Sequence, residues 1–442
     1  MYDTTATRAD RLELSWIDPI RALAALRDAP MTLLMLGGGP DAGAQRSYLC
    51  AFPAFSVIET DPAKAFQALK AGGAPGPRTP DADGFAGGYA GLLSYDLGRA
   101  FEATAQTPPG LCAWPALAAG WYPAVAVFDH GARRLSVRGQ AGAARRLADA
   151  ITAPARSEQA GPGRFEQVWA DERYLDAARR AVDYVRAGDV FQVNLSHPFR
   201  GVLPGRDGPF RLIRRLAAQS PAAFSAYLRV DDARAVVTNS PERFVCADAQ
   251  GRVQTRPIKG TRARRADPAE DRRAAEALAA SAKDRAENLM IVDLMRNDLA
   301  RVCAAGTVRT PELFKVESFA NVHHLVSTVT GQLAADRDVF DLIAACFPPG
   351  SITGAPKVRA MEIIAELEGE SRGPYCGALG WIGRDGAADL NVMIRTAACV
   401  KDGSHWRAEI RSGGAVVIDS DPAEELAETR AKAGALFKAA GP

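Results

Sequence analysis

The chain lacks paired cysteines. Its seven, Cys50, Cys112, Cys246, Cys303, Cys346, Cys376 and Cys399, stand singly, are odd in number and never form a C-x-x-C pair. That spacing excludes a disulfide framework and a thiolate zinc site and suits a reducing compartment, so a cytoplasmic protein is expected. Net charge is equally scarce. Against 54 Lys and Arg stand 52 Asp and Glu, and the resulting +2 offers no global field to draw nucleic acid or an anionic membrane, so neither is expected as a partner. Long apolar helical runs are missing too. The charge-free stretch between Glu102 and Asp129 is cut by Pro108, Pro109, Gly110, Pro115, Gly120 and Pro123 into strand-length pieces, which argues against a membrane span. Residues 1–10 mix charges without an apolar core, so no secretion signal is expected. No G-x-S-x-G or G-x-C-x-G nucleophile turn occurs. Gly350 to Lys357 is not a nucleotide phosphate loop, because Ala355-Pro356 separates the second glycine from the lysine.

What is present is globular. With 47% hydrophobic and 24% charged residues over 442 positions, the chain can bury two or three cores or one large composite core. Short apolar runs at 31–36 and 122–128, punctuated by Gly37-Gly38-Gly39-Pro40 and the turn-rich 73–80, predict strands and loops. The Ala/Pro/Gly/Ser-rich stretch 152–164 reads as an exposed connection between an N-terminal region, 1–155, and a C-terminal region, 165–440. A helix over 171–187 would place Leu175, Ala178, Val182 and Val185 on one face and stop at Gly188. A β-rich run, 190–195, follows. Helical composition returns over 270–299 and over 356–367, with Pro356 as a first-turn residue. Asp421-Pro-Ala-Glu424 has the pattern of a capping box opening a final helix to about Lys438.

Several residues could carry chemistry. Asp284 with Glu287, and Glu425 with Glu428, each fall on one face of a helix at i, i+3 spacing, and Lys432 lies on the face of Glu425. Four carboxylates suit a hard cation such as Mg²⁺; two solvated helix faces would show the same spacing. Ser351 and Thr353, ahead of a helix, offer hydroxyls and N–H groups to an anion. Gly413 and Gly414 allow backbone to approach a ligand. Lys259, flanked by Arg256, Arg262, Arg264 and Arg265, would have its pKa depressed by neighbouring cations, one route to a nucleophilic amine; a basic surface loop would look the same. His323 and His324 could offer imidazole to a substrate carboxylate.

In this order along the chain, Gly188 to Ser196, Ser240-Pro-Glu-Arg-Phe244, Arg256-Pro-Ile-Lys-Gly-Thr261, Ala286 to Asp298, His324-Leu-Val-Ser327, Gly350 to Lys357 and Asp419 to Lys432 resemble the chorismate-utilising enzymes. The N-terminal match is thinner and rests on Gly87 to Asp96. The resemblance implies an anthranilate synthase component I-like α+β fold, with two large, mainly antiparallel sheets packed together and helices outside. It implies Mg²⁺ held by Glu287 and Glu428, supported through water by Asp284 and Glu425, with the metal on the ring carboxylate of chorismate. Arg395, Tyr375, Lys432 and the backbone at Gly413 and Gly414 match positions that hold the enolpyruvyl carboxylate. His324 and Thr261 match residues on the ring side, and Glu242 matches the general acid that protonates the departing 4-hydroxyl.

Two positions sort the family by reaction. At Gln192, members that add water at C2 carry a lysine, so glutamine argues against isochorismate or salicylate synthesis. At Lys259, anthranilate synthases carry alanine, whereas lysine resembles the branch that makes 4-amino-4-deoxychorismate for p-aminobenzoate and folate, where this amine attacks C2. Ammonia would then come from a partner glutamine amidotransferase subunit, since no glutaminase domain is recognised. Anthranilate formation is the nearest alternative. A non-catalytic ligand-binding paralogue would have lost a metal carboxylate or the acid, yet Glu242, Glu287 and Glu428 are all present. One departure is Ala263, where a proline is common after Gly-Thr-x.

Overall fold

The computed structural model describes residues 10–37, 45–72, 84–319 and 322–442; the turns expected at 38–40 and 73–80 and the residues before Asp10 lie outside them. The fold is α+β, with one sheet of twelve strands and one of ten, their ladders antiparallel. The expected apolar runs form strands Thr32–Leu36, Leu117–Tyr122 and Ala124–Asp129.

Both sheets take strands from either side of the 152–164 connection. Thr32–Leu36 pairs with Phe224–Arg229 in the larger sheet, and Gly88–Leu93 pairs with Ala378–Gly383 in the smaller. Neither sheet is complete from one side of that connection, so backbone hydrogen bonds bind both stretches into one composite body. Between the sheets lies an apolar layer that includes Leu33, Val125, Leu228 and Val236 from one and Leu92, Leu379 and Ala90 from the other. Helices cover the outer faces, for example Leu212, Ile213 and Leu436 on the larger sheet and Ile291, Met295 and Phe340 on the smaller.

Helix Asp171–Arg186 ends before Gly188, which takes a left-handed φ of 82°. The single helix expected over 270–299 is two, Pro268–Ala280 and Ala282–Ala300. Ser281 breaks it by adopting extended backbone and accepting a hydrogen bond from Asp284 N at its side chain, because a serine hydroxyl competes well for the free amides of a helix start. Pro356 is the residue before helix Lys357–Glu368 rather than its first turn, since Gly354–Ala355 is drawn into a ladder with Gln192 and Val193. Asp421 caps helix Pro422–Ala440 through Ala423 N and Glu424 N. The reciprocal capping box belongs instead to Asp338 and Asp341, at the start of Val339–Cys346.

A buried ionic cluster braces the strand that enters the site. Glu368, fully buried, accepts from Arg372 at 2.7 and 3.0 Å, from Arg411 at 3.1 Å and from Ser196 Oγ at 2.8 Å. Arg372 also donates to the carbonyls of Ile352, at 3.0 Å, and Asn194, at 2.6 Å. Glu368→Ala would leave two guanidinium groups buried without their shared counter-charge. The expected loss, read by urea denaturation, is about 3–5 kcal/mol.

Candidate active site

The site forms where the chain passes from one sheet to the other. Strand Arg234–Ser240 belongs to the larger sheet and Arg243–Ala247 to the smaller, and Glu242 lies in the step between them. The return step, from Ala388–Val392 to Thr396–Asp402, carries Arg395. The two steps run side by side, with Val392 N donating to Glu242 O at 3.0 Å and Asn239 N to Arg395 O at 3.0 Å. Arg395 holds a left-handed φ of 51°, a conformation that costs a non-glycine residue energy and that the paired strands impose.

Lys259 comes from the edge strand Ile258–Ala263 of the smaller sheet, where the register shifts between Lys259 and Thr261. Gly260 makes that bulge, with φ 78°; a Cβ there would stand 2.8 Å from Asp284 Cγ. Lys259 Nζ donates to Gln192 Oε1 at 3.3 Å, from the start of the strand Gln192–Leu203 in the other sheet. Burial pushes the Lys259 amine below the usual lysine range, helped by Lys432 and opposed by Glu287, Glu242 and Glu428. The depression therefore does not come from the neighbouring arginines, as expected from sequence. Arg256 pairs with Glu317, Arg262 with Asp284 and Arg264 with Asp271, so their charges are already matched.

Glu242 is the second perturbed group. Burial raises its carboxyl to about 7, against a hydrogen bond with Ser351 and the charges of Lys259, Lys432 and Arg395. A carboxylic acid that keeps its proton near neutrality can act as a general acid. His324 is buried on strand Val322–Gln332 with Nδ1 2.9 Å from Thr261 Oγ1. Burial and the Arg395 charge lower it to about 4, against a hydrogen bond with the Gly260 backbone, so it is neutral at pH 7. His323 is spoken for elsewhere, between Ser318 Oγ at 2.8 Å and Asp271 at 3.0 Å.

The carboxylates come from two helices: Glu287 and Glu428 both act on the Lys259 amine, and Asp284 lies against Gly260. Burial pushes Glu425 up, aided by Glu428 and opposed by a hydrogen bond from Ser420. Burial acts likewise on Glu428, but Lys432, Lys259 and Lys283 overcome it and hold that carboxyl low. Lys432 Nζ lies 2.7 Å from Glu428 and donates to Gly413 O at 3.0 Å. Gly414 is bare for a reason, since a Cβ there would sit 2.5 Å from Glu425 Oε2. Asp284 is paired with Arg262 at 3.0 Å. Among the described residues no three acidic, His or Cys side chains are gathered tightly enough to cage a metal. That still fits Mg²⁺, which takes one or two protein carboxylates and fills its shell with water and an anionic ligand.

Other residues depart from expectation. Tyr375 is buried, with Arg372 over its ring at 5.7 Å, and burial together with Cys376 raises its phenol well above the ordinary range. Thr353 does not present its hydroxyl to an anion: it is fully buried and donates to Pro349 O at 2.9 Å. Ser351 serves Glu242 instead, and Lys357 is held by Asp298 at 2.7 Å and Cys346 O at 2.9 Å. Sequence reasoning missed Lys283, which stands beside Glu425 and Glu428, and the bracing role of Arg372; neither has a local motif.

An amine held below the usual lysine range, a carboxyl raised to about 7 and the charges of Arg395 and Lys432 acting on it, with acidic side chains on two nearby helices, could receive a substrate that is itself an acid. The chorismate binding enzyme family matches residues 42–438. The chain belongs to that family. It is 44% identical over 359 residues to aminodeoxychorismate synthase component 1 of Klebsiella aerogenes, covering 80% of this chain and 76% of that protein. It is 40% identical over 413 residues to anthranilate synthase component 1 of Thermus thermophilus, covering 90% and 87%. The crystal structure of anthranilate synthase component I from Streptococcus pneumoniae superposes with a TM-score of 0.78 at 28% identity, covering 90% of this chain and 93% of that one. The α+β fold of two large antiparallel sheets is the one the resemblance implied. Among the described residues, no helix is long and apolar enough to cross a membrane.

Proposed function

We propose that this chorismate binding enzyme is component I of an aminodeoxychorismate synthase, converting chorismate and ammonia to 4-amino-4-deoxychorismate. Three relatives named aminodeoxychorismate synthase component 1 are 41–44% identical over 80–87% of this chain, against 40% and 39% for anthranilate synthase component 1 relatives over comparable spans, which supports this reading. The observation that carries the choice is Lys259, whose amine is held below the usual lysine range by burial and donates to Gln192 Oε1, as suits a nucleophile.

The residues divide the work as follows. Lys259 Nζ attacks C2, the electrons of the two ring double bonds shift toward C4, and the C4–O bond breaks as Glu242 gives its proton to the departing hydroxyl. Ammonia then adds at C4, the electrons shift back and the bond from C2 to Lys259 breaks, which returns the amine. Arg395 and Lys432 bind the enolpyruvyl carboxylate, Arg395 by a two-pronged contact and Lys432 as a point charge. His324, neutral and held by Thr261, lines the ring. Glu287 and Glu428 would hold Mg²⁺, with Asp284 and Glu425 behind them; when bound, the ion supplies positive charge to the ring carboxylate. A partner glutamine amidotransferase would supply the ammonia, a role consistent with the component 1 names of the relatives.

The test is to incubate the protein with chorismate, an ammonium salt and Mg²⁺, and to identify the product by mass and fluorescence. The para-amino product is expected, and removing Mg²⁺ with a chelator should abolish it reversibly. Anthranilate without the para-amino compound would overturn the assignment.

A further inference from the structure

We propose that Asn194 is a further substrate-binding residue, its Nδ2 acting with Gln192 Nε2 as a pair of donors to oxygens of the bound substrate. This rests on the proposed chorismate chemistry and adds to it a residue that no motif assigned. In an extended strand, positions 192, 194 and 196 point to one face. Gln192 at one end of that row touches Lys259, and Ser196 at the other joins the Glu368 cluster, so Asn194 lies between the nucleophile and the ionic brace.

Its backbone is held on both sides: Asn194 N donates to Thr353 O at 2.9 Å, and its carbonyl accepts from Arg372 at 2.6 Å. Its side-chain amide is not. Asn194 is 5% exposed and Gln192 fully buried, yet Asn194 Nδ2 and Gln192 Nε2 are both enclosed without a hydrogen-bond partner. Buried donors are almost always paired, and an unpaired one is costly, so two on one face beside a reactive lysine point to acceptors that arrive with a ligand. About 7 Å separates positions two apart in a strand, a span that suits two different oxygens of one small molecule. Arg395, Lys432 and Lys259 make the surroundings attractive to an anion, and the amides add donors whose strength does not vary with pH.

The experiment measures chorismate binding by calorimetry in Mg²⁺ without ammonia, for the wild type, Asn194→Leu and Asn194→Asp, alongside melting temperature and steady-state kinetics. Asn194→Leu removes the donor at similar volume. It should weaken binding by about tenfold or more and act chiefly on KM, while the melting temperature stays level or rises because an unpaired polar group is gone. Asn194→Asp should bind more weakly still, since a carboxylate would face the substrate's oxygens. Wild-type affinity in both variants, or a lowered melting temperature with binding intact, would assign Asn194 a structural role and overturn the proposal. Failure of the wild type to bind chorismate would overturn the functional reading itself, and this one with it.

Discussion

Lys259→Ala should reduce formation of the para-amino product by at least about 10³-fold, the scale on which loss of a covalent nucleophile acts. The variant should fold as well as the parent. A buried amine whose charged form is disfavoured contributes little to stability, so the melting temperature at pH 7 should hold or rise. Residual turnover, where seen, should shift away from the para position, because no amine remains to occupy C2 while ammonia enters at C4. Mass and fluorescence analysis of the products reads both effects. Unchanged turnover to the same product would remove Lys259 from the mechanism.

Glu242→Gln should cost about 10²–10⁴ in kcat, the usual worth of a positioned general acid, with a much smaller change in KM. The parent should show a bell-shaped pH profile. In the proposed mechanism Glu242 acts protonated, so activity should fall as pH rises through about 7, and Lys259 acts as the free amine, so activity should also fall as pH drops below its lowered pKa. The limb assigned to Glu242 should vanish in Glu242→Gln. Stability gives a second readout with a definite sign. Because the folded carboxyl keeps its proton up to about 7 while the unfolded one ionises near 4.5, the native state binds more protons between those values and loses stability as pH rises. Glu242→Gln should therefore gain stability relative to the parent over that window, reaching on the order of 3 kcal/mol above pH 7. Equal pH dependence of the two melting curves would show that Glu242 is not held neutral.

Much of this enzyme was legible in the sequence where chemistry is local. The short apolar runs over 31–36 and 122–128 gave strands, and Gly188 and Asp421 marked a helix end and a helix start that the chain adopts. The pairs Asp284 with Glu287 and Glu425 with Glu428 were visible from helical spacing, because residues three apart share a face whatever lies opposite. The break at Ser281 was not visible, since composition on both sides favours helix and one hydroxyl decides the matter.

The sequence by itself determined which groups the proposed site draws on: Lys259, Gln192, Glu242 and the carboxylates of two helices. Only the tertiary structure decided what those groups become. Gln192 reaches Lys259 from a different sheet, 67 positions away, and Glu242 meets Arg395 because two chain crossings run side by side. The lysine's lowered pKa comes chiefly from burial and from Lys432 on the last helix, not from the arginines beside it in sequence. Desolvation and Coulomb interaction depend on distance in space, and ion pairs with Glu317, Asp284 and Asp271 had already cancelled the charges that adjacency suggested.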